Sequence, residues 1–474
     1  MPKTISPADM KRLETEYMAQ TGMPGALLME HAAQGVCTAI SHCVDKNARV
    51  LFLCSPGNNG GDGYAAARLW QAQGGHAVIW ELSSDAKGDA ALNRRLALDA
   101  GIPVVTISDS PAALPFCHII VDALFGTGLT RAPEGIAAQL IRLTNASGLP
   151  IVAVDVPSGL DGSTGRILGE TIRATETVTF HRIKDGLLLR YGPDYTGNIT
   201  VQPILIPEGW GNAPGMSYID APSVPPLPAT AHKGTAGRVV ILAGSPGMAG
   251  AAAFCARAAL SCGAGLVELL CRENILHTLQ CLVPGATCKV LPEDSASAAL
   301  IADASLATAN AAVIGPGLGQ NPSLLPLLNV FRQAACPVVW DADALNLLAQ
   351  RRDLLPLPPH HVATPHPGEA ARLLHISAHQ ITEEPLEALQ ALHERLGCHV
   401  LLKGARSLMT DGESVAINPI GSPRMAQGGS GDKLCGVMAA LLARRLPMTT
   451  LEVMQQAALI HQLDFQPERV PHIP

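Results

Sequence analysis

Nine residues, Ser55-Pro56-Gly57-Asn58-Asn59-Gly60-Gly61-Asp62-Gly63, separate an apolar run at Val50–Cys54 from a helical stretch at Tyr64–Gln73. Glycines at that place leave backbone N–H groups and a helix dipole free to hold a phosphate. Gly61-x-Gly63-x-x-Ala66 also fits a loose dinucleotide fingerprint, with Glu81 standing where a ribose-binding acid would follow. A tight turn closed by an Asx motif is the plainer alternative. Two further loops of this kind follow short β-branched runs: Asp122-Ala123-Leu124-Phe125-Gly126-Thr127-Gly128-Leu129-Thr130-Arg131 and Asp155-Val156-Pro157-Ser158-Gly159. Ligands of open α/β sheets bind outside the carboxyl ends of the strands, so three such loops predict one crevice. Asp122 and Asp155 are either structural carboxylates bonded to turn amides or functional. In the functional case one is the acid/base and the other, with Asn59 and Ser158 oxygens, a cation site.

The second half offers different chemistry. No Gly-Lys dipeptide occurs, which excludes a Walker A loop. Gly429-Ser430-Gly431-Asp432 ahead of an apolar helix provides an anion hole of amides with a carboxylate beside it to take a proton from an attacking hydroxyl; an Asp-capped helix is the alternative. Lys403-Gly404-Ala405-Arg406-Ser407 offers a cation, a glycine and a hydroxyl after a strand, or else a surface hairpin with a solvated lysine. Asp341 and Asp343 end another run; together they suggest magnesium near phosphates, although Asp343 also suits a helix cap. His366, between two prolines, suits a substrate contact. His360 and His361 have no metal-ligand spacing.

These loops need strands and helices to hold them. From Asn47 to about Ile206, Val50–Cys54, Ala77–Leu82, Ile119–Val121 and Ile151–Val156 alternate with helical stretches, the βαβ rhythm of a mostly parallel sheet. A Pro- and Gly-rich segment from Glu208 to Thr230 reads as a boundary between domains at 1–215 and 225–474. The rhythm then restarts with Arg238–Ala243, Leu266–Leu270, Ala312–Ile314, Val338–Trp340, His361–Ala363 and Val400–Leu402. Each half is read as a layered α/β domain.

The 474 residues are 47% hydrophobic and 15% charged, which favours packed structure over disorder, and only 3% aromatic, so aliphatic side chains must fill the cores. A net charge of -7 without a long basic run argues against nucleic acid as partner. The longest uncharged stretch, Ala304–Phe331, is broken by Gly315, Pro316, Gly317 and Pro322, so no membrane span is expected. No signal-like segment leads the chain, and the twelve cysteines include no Cys-x-x-Cys pair. A cytoplasmic protein with free thiols is the expectation.

Taken together and in order, the motifs resemble the bifunctional NAD(P)H-hydrate repair enzymes, an epimerase fused to a nucleotide-dependent dehydratase. The first half is similar to the epimerase family through Asn58–Gly63, Asp122…Gly126-Thr127-Gly128 and Val154–Gly159. The second is similar to the ribokinase-like dehydratases through His232-Lys233-Gly234, Gly263-Ala264-Gly265, Gly315-Pro316-Gly317-Leu318-Gly319, Asp341–Asn346, Thr364–Glu369, Lys403-Gly404 and Gly428–Asp432. The resemblance implies a Rossmann-like three-layer domain followed by a ribokinase-like α/β domain. It implies that Asn58, Asn59, Gly60, Gly61, Asp62, Gly126, Thr127, Gly128, Leu129, Thr130 and Arg131 bind hydrated dinucleotide, that Asp155 is the acid/base, and that Asn59, Asp122 and Ser158 hold K+. In the dehydratase it implies contacts to the hydrate from Ala264, Gly317, His366 and Asp432, with Asp432 as catalytic base. Lys403, Gly404, Ala405, Arg406, Ser407 and Gly431 would form the adenine-nucleotide site, with ADP as phosphoryl donor and Mg2+ accompanying it. Lys433 departs from the family's usual apolar residue after the catalytic Asp. The implied partners are NADHX, NADPHX and ADP/AMP, with a homo-oligomer expected. A ribokinase-superfamily kinase of a small vitamin or sugar alcohol, carrying a dinucleotide-binding module, is the competing reading.

Overall fold

In a computed structural model, residues 1–463 are described, and they divide into two units, Lys3–Met216 and a second comprising Met1–Pro2 with the chain from Ser217 onward. The division falls inside the Pro- and Gly-rich segment. Among the described residues, no helix is long and apolar enough to cross a membrane.

The first unit carries seven strands: β1 (Arg49–Cys54), β2 (His76–Glu81), β3 (Val104–Thr106), β4 (Ile119–Ala123), β5 (Ile151–Val154), β6 (Glu176–Phe180) and β7 (Asn198–Gln202). Their order is β3-β2-β1-β4-β5-β6-β7, and every pairing is parallel. Buried Val50, Phe52, Ile119, Val121 and Val152 pack against helices Gly25–Cys43 and Asn58–Ala72 on one face, while Leu51, Leu53, Ile120 and Ile151 pack against Leu140 and Ile141 on the other. Period-two alternation with both faces buried is what makes these strands read as continuous apolar runs. Strand order reverses between β1 and β4, so the crevice outside their carboxyl ends is the natural ligand position.

The helix after β1 begins at Asn58, so Gly60, Gly61 and Gly63 lie inside its first turns. Close approach explains them. A Cβ on Gly60 would stand 1.8 Å from the Ser55 carbonyl oxygen, and one on Gly63 would meet the Ala123 side chain at 2.6 Å. Glycine lets the helix start press directly onto the ends of β1 and β4.

The second unit has nine strands: β8 (Arg238–Leu242), β9 (Leu266–Cys271), β10 (Thr287–Val290), β11 (Ala311–Ile314), β12 (Val338–Trp340), β13 (Val362–Ala363), β14 (His399–Leu402), β15 (Leu408–Thr410) and β16 (Val415–Ile417). The order is β10-β9-β8-β11-β12-β13-β14-β15-β16, parallel as far as β14 and antiparallel beyond. The helix Ser430–Ala443 is buried from Leu434 to Ala443 and packs chiefly on the Ala-rich helix Ala249–Ser261, whose small side chains allow close contact. Gly436 sits where any Cβ would meet the Cys255 carbonyl oxygen at 2.1 Å. This packing fixes the axis of the helix that opens with Ser430-Gly431-Asp432.

Candidate active site

In the first unit the three expected loops all leave the carboxyl ends of strands, from β1, β4 and β5. Asp122, completely buried, accepts from the Ser158 hydroxyl at 2.6 Å, the Ser158 N–H at 2.8 Å and the Leu124 N–H at 3.3 Å. Burial pushes its carboxyl up to about 6 against those hydrogen bonds. Asn59 lies against Gly126, where a Cβ would be 2.7 Å from its Oδ1, and its Nδ2 is buried without a hydrogen-bond partner. An amide nitrogen stranded in that way is what results when the oxygen belongs in its place. Asn59, Asp122 and Ser158 each carry a side-chain oxygen, the donor type that would suit K+, and the Ser158 hydroxyl already accepts from the Phe125 N–H at 2.8 Å. Gly126–Arg131 forms a largely exposed loop beyond β4.

Asp155 follows β5 in the left-handed region, φ 64°, which is costly for a residue with a side chain. Its N–H is tied to the Val178 carbonyl at 2.8 Å, and its Oδ1 accepts from Thr179 Oγ1 at 3.1 Å. Lys184 is the partner that sequence reading missed. Its Nζ lies 2.6 Å from Asp155 Oδ1 and donates to the Phe180 carbonyl at 2.8 Å, with the lysine side chain 1% exposed. Beside this pair stand two further acids. Asp62 is held well above the usual carboxylate range by burial and by the charges of Asp155 and Glu14, and burial pushes Glu14, on helix Pro7–Thr21, up to about 7.

Glu81 takes no part in this. Arg94 grips both its oxygens at 2.7 Å, and Thr106 and Tyr64 hydroxyls donate at 2.7 and 2.8 Å, so the carboxylate is saturated and not free for a ribose. Burial alone would raise its pKa, but these hydrogen bonds hold it below the usual range. Glu81→Gln is expected to lower unfolding stability by about 3 kcal/mol in denaturant titrations, because a buried ion pair loses one partner. Because the folded-state value is depressed, this contribution is present above the unfolded pKa and is lost as pH falls through the folded one.

In the second unit, Asp341 ends β12, Thr364 and His366 follow β13, and Lys403 follows β14. Asp341 is 1% exposed; its Oδ1 receives Lys403 Nζ at 2.6 Å and Thr364 Oγ1 at 2.9 Å, and its Oδ2 receives the Cys435 thiol at 3.2 Å. Glu369 Oε2 lies 3.7 Å from the same ammonium. Burial alone would lower the Lys403 pKa, but Asp341 and Glu369 overcome that and hold it above its ordinary range. Lys403-to-Ser407 does lead into an antiparallel hairpin, β14 to β15, but its lysine is not solvated. Gly404 and Ala405 are exposed at the turn, and Ser407 pairs with Asn418 through the backbone.

His366 caps helix Pro367–Leu374: its Nδ1 accepts from the Gly368 N–H at 2.9 Å, and its own N–H donates to Glu369 Oε2 at 2.8 Å. Burial and the charges of Lys403 and Arg372 lower its pKa, leaving a neutral ring, half exposed, with Nε2 toward Glu369. His361 is a core residue accepting from Trp340 Nε1 at 3.1 Å.

Helix Ser430–Ala443 is capped by Gly429 at φ 87° with no side-chain cap, so Asp432 sits in the first turn and is not the cap. Its carboxyl is pushed up to about 6 by burial, Asp341 and Asp343, with Lys403 opposing. Gly431 has space for little else: a Cβ there would lie 3.3 Å from Lys403 Nζ. Gly317, φ 57°, stands beyond β11, its carbonyl accepting from Ser245 Oγ at 2.8 Å and its Cα facing Ala251.

Three expectations need correcting. Ala264 precedes β9, at the amino end of the parallel strands, where it packs in the core; Gly317, His366 and Asp432 lie at the other end. Ala251, against Gly317, is the alanine found there. The Asp341/Asp343 pair also does not fit magnesium, since Asp341 is already neutralised by Lys403 and Asp343 accepts from the Gly319 N–H at 2.8 Å and Gln320 Nε2 at 3.0 Å. Nor is Asp343 a helix cap, because its helix starts at Ala342.

Comparison with known proteins decides what these two sites belong to. Residues 25–186 match the family model described as YjeF-related protein N-terminus, and residues 239–463 match the one described as NAD(P)H-hydrate dehydratase. A bifunctional NAD(P)H-hydrate repair enzyme of Escherichia coli is 37% identical over 94% of this chain and 86% of its own length. The chain belongs to that family. A second bifunctional repair enzyme, from Moorella thermoacetica, is 36% identical, covering 93% of this chain and 88% of the relative. The crystal structure of an ADP/ATP-dependent NAD(P)H-hydrate dehydratase from Bacillus subtilis is 26% identical over 53% of this chain and 88% of that one, with a TM-score of 0.45.

Proposed function

We propose that the chain repairs hydrated NADH and NADPH. The first unit interconverts the R and S epimers, and the second dehydrates the S epimer at the expense of ADP, giving AMP and phosphate. Membership of a family whose relatives match along nearly the whole chain supports this, and the observation that carries it is the pair of separate acid/base centres, Asp155 and Asp432, one at the strand ends of each unit. We place the domains at residues 1–215 and 225–474.

In epimerisation, C6 of the reduced ring carries a hydroxyl next to the ring nitrogen, so loss of the hydroxyl from one face and its return to the other inverts the centre. Asp155, paired with Lys184, serves as acid/base. Asp62 beside it, held well above the usual carboxylate range by burial, is the neighbouring acid with which a proton can be exchanged. Asn58–Asp62 and Gly126–Arg131 bind the dinucleotide. Asn59, Asp122 and Ser158 would hold K+, whose charge favours anionic groups in the crevice.

In dehydration, hydroxide is a poor leaving group. Asp432 takes the proton of the C6 hydroxyl as its oxygen forms a bond to the terminal phosphorus of ADP, and the bond to AMP breaks. Phosphate then leaves C6 as a proton departs from the neighbouring carbon, restoring the dihydropyridine. The Gly429–Gly431 amides face the developing charge, with Lys403 beneath them. His366 and Gly317 contact the hydrate, while Lys403–Ser407 and Gly431 hold the nucleotide. Magnesium comes bound to the nucleotide phosphates; the Asp341/Asp343 pair is not its ligand set.

The protein is read as cytoplasmic and homo-oligomeric, with small-molecule partners and neither nucleic acid nor membrane; twelve free cysteines accord with a reducing compartment. Because Asp432 must be deprotonated to act, kcat/KM for dehydration is expected to fall as pH drops through about 6, tenfold per pH unit below it, in initial-rate profiles. The proposal is tested by product analysis with S-NADHX and ADP: one AMP and one phosphate for each NADH formed support it, whereas a phosphorylated organic product that persists would establish the kinase reading.

A further inference from the structure

Lys403 sits where two parts of the dehydratase site meet. One is the phosphoryl cradle: any Cβ on Gly431 would lie 3.3 Å from Lys403 Nζ and 3.6 Å from Asp341 Oδ2, so both charged groups lie directly under the first turn of helix Ser430–Ala443. The other is the His366 capping box, whose Glu369 Oε2 stands 3.7 Å from the ammonium and 2.8 Å from the His366 nitrogen. Asp341 decides which part the ammonium serves. It holds Nζ at 2.6 Å and is itself fixed from three directions, by Lys403, Thr364 and Cys435. A lysine kept only to bind nucleotide would gain nothing from a buried carboxylate that cancels its charge. The carboxylate is set against Gly431, where no side chain intervenes between the pair and the first turn of the helix.

We infer that Asp341 is a positioning residue that fixes the Lys403 ammonium beneath the Gly429–Gly431 amides, where it meets charge developing on the transferred phosphoryl group. This rests on the assignment of phosphoryl transfer to the second unit. The groups that act on Asp432 are Asp341 just after β12, Asp343 on the helix Ala342–Gln350 that follows, Lys403 just after β14 and Cys255 from helix Ala249–Ser261; Lys433 and Cys435 share its own helix, and Glu369 and His366 face Lys403. Removing Asp341 takes away a negative charge and must lower the proton affinity of Asp432. Removing Lys403 takes away a positive charge and must raise it.

The test uses the full chain with S-NADHX and ADP, measuring kcat, the KM for ADP and the pH profile of Asp341→Asn, Lys403→Met and the double variant, with thermal melting of each variant as the check on folding of the second unit. Asp341→Asn is expected to lower kcat at least roughly 100-fold while the KM for ADP changes less than about threefold, the mark of a group that acts in the transition state, whereas Lys403→Met, which also removes a nucleotide contact, is expected to lower kcat by a similar factor and to raise that KM as well. The acid limb should move to lower pH in Asp341→Asn and to higher pH in Lys403→Met. The double variant removes both members of the buried Asp341–Lys403 pair and leaves Glu369 its hydrogen bond from the His366 N–H, so it should fold even where a single variant does not, and its kcat should be no lower than that of Lys403→Met. A rise in KM with kcat intact, acid limbs that do not move, or a folded double variant with wild-type kcat would each overturn the inference. If the wild-type protein shows no nucleotide-dependent dehydration, the reading of the second unit fails instead.

Discussion

Asp432→Ala is expected to slow nucleotide-dependent dehydration of the S epimer by roughly 100- to 10,000-fold while epimer interconversion continues at the wild-type rate. The magnitude follows from the loss of a general base. Without it, the C6 hydroxyl must attack phosphorus while still holding its proton, and neither Lys403, already committed to Asp341, nor the neutral ring of His366, committed to the helix cap through Nδ1, can accept it. The amide cradle survives the substitution, because Gly429 and not Asp432 caps the helix. Nucleotide affinity should therefore change little. Coupled measurement of NADH formation and of epimer ratio in one sample checks both halves of this expectation, and a variant that folds but loses both activities contradicts the division of labour between the units.

Asp155→Ala produces the mirror image, with epimerisation lowered by a similar factor and dehydration of pure S epimer unchanged. The effect extends beyond the missing carboxylate. Lys184 has 1% exposure and loses its ion-pair partner, keeping the Phe180 carbonyl, with Asp62 and Glu14 the acids left beside it. Breaking such a pair costs about 3–5 kcal/mol, so Asp155→Asn, which retains a polar partner for Lys184, separates loss of chemistry from loss of stability. Both variants should lack epimerase activity, with Asp155→Asn melting closer to the wild-type protein. An Asp155→Asn protein that still epimerises would move the acid/base role to Asp62 or Glu14.

Much of this arrangement was legible from local sequence. Strand-ending loops that begin with Asp122, Asp155 and Asp341 each follow a short β-branched run, and the parallel rule then places them at one end of a sheet without further information. Lys184 was not legible in that way. Twenty-nine positions separate it from Asp155, and the two meet only because β5 and β6 pair in parallel, bringing the end of β6 beside the end of β5. Glu14 is hidden for the same reason, on a helix ahead of the first strand. Ala264 shows the opposite failure: a Gly-Ala-Gly turn resembles a ligand-binding loop, yet Gly265 is a glycine because a Cβ would strike the Lys233 carbonyl oxygen at 2.0 Å, at the wrong end of the strands. For Glu81, spacing from the glycine loop suggested a ribose contact, and only the positions of Arg94, Thr106 and Tyr64 reveal its structural use. Edge strands such as β3 and β10 escape notice because they are short and half exposed, with little alternation to mark them.

Recovery of reduced-nicotinamide absorbance from a mixture of both NADHX epimers, with ADP present and the wild-type and Asp155→Ala proteins side by side, tests the central claim that one chain carries both activities. The wild-type protein should restore the absorbance of the entire mixture in a single sweep, whereas Asp155→Ala should restore only the S fraction quickly and then stall at the slow, uncatalysed rate of epimer exchange. Identical full recovery by both proteins, or a wild-type trace that itself stalls once the S epimer is consumed, would contradict the account.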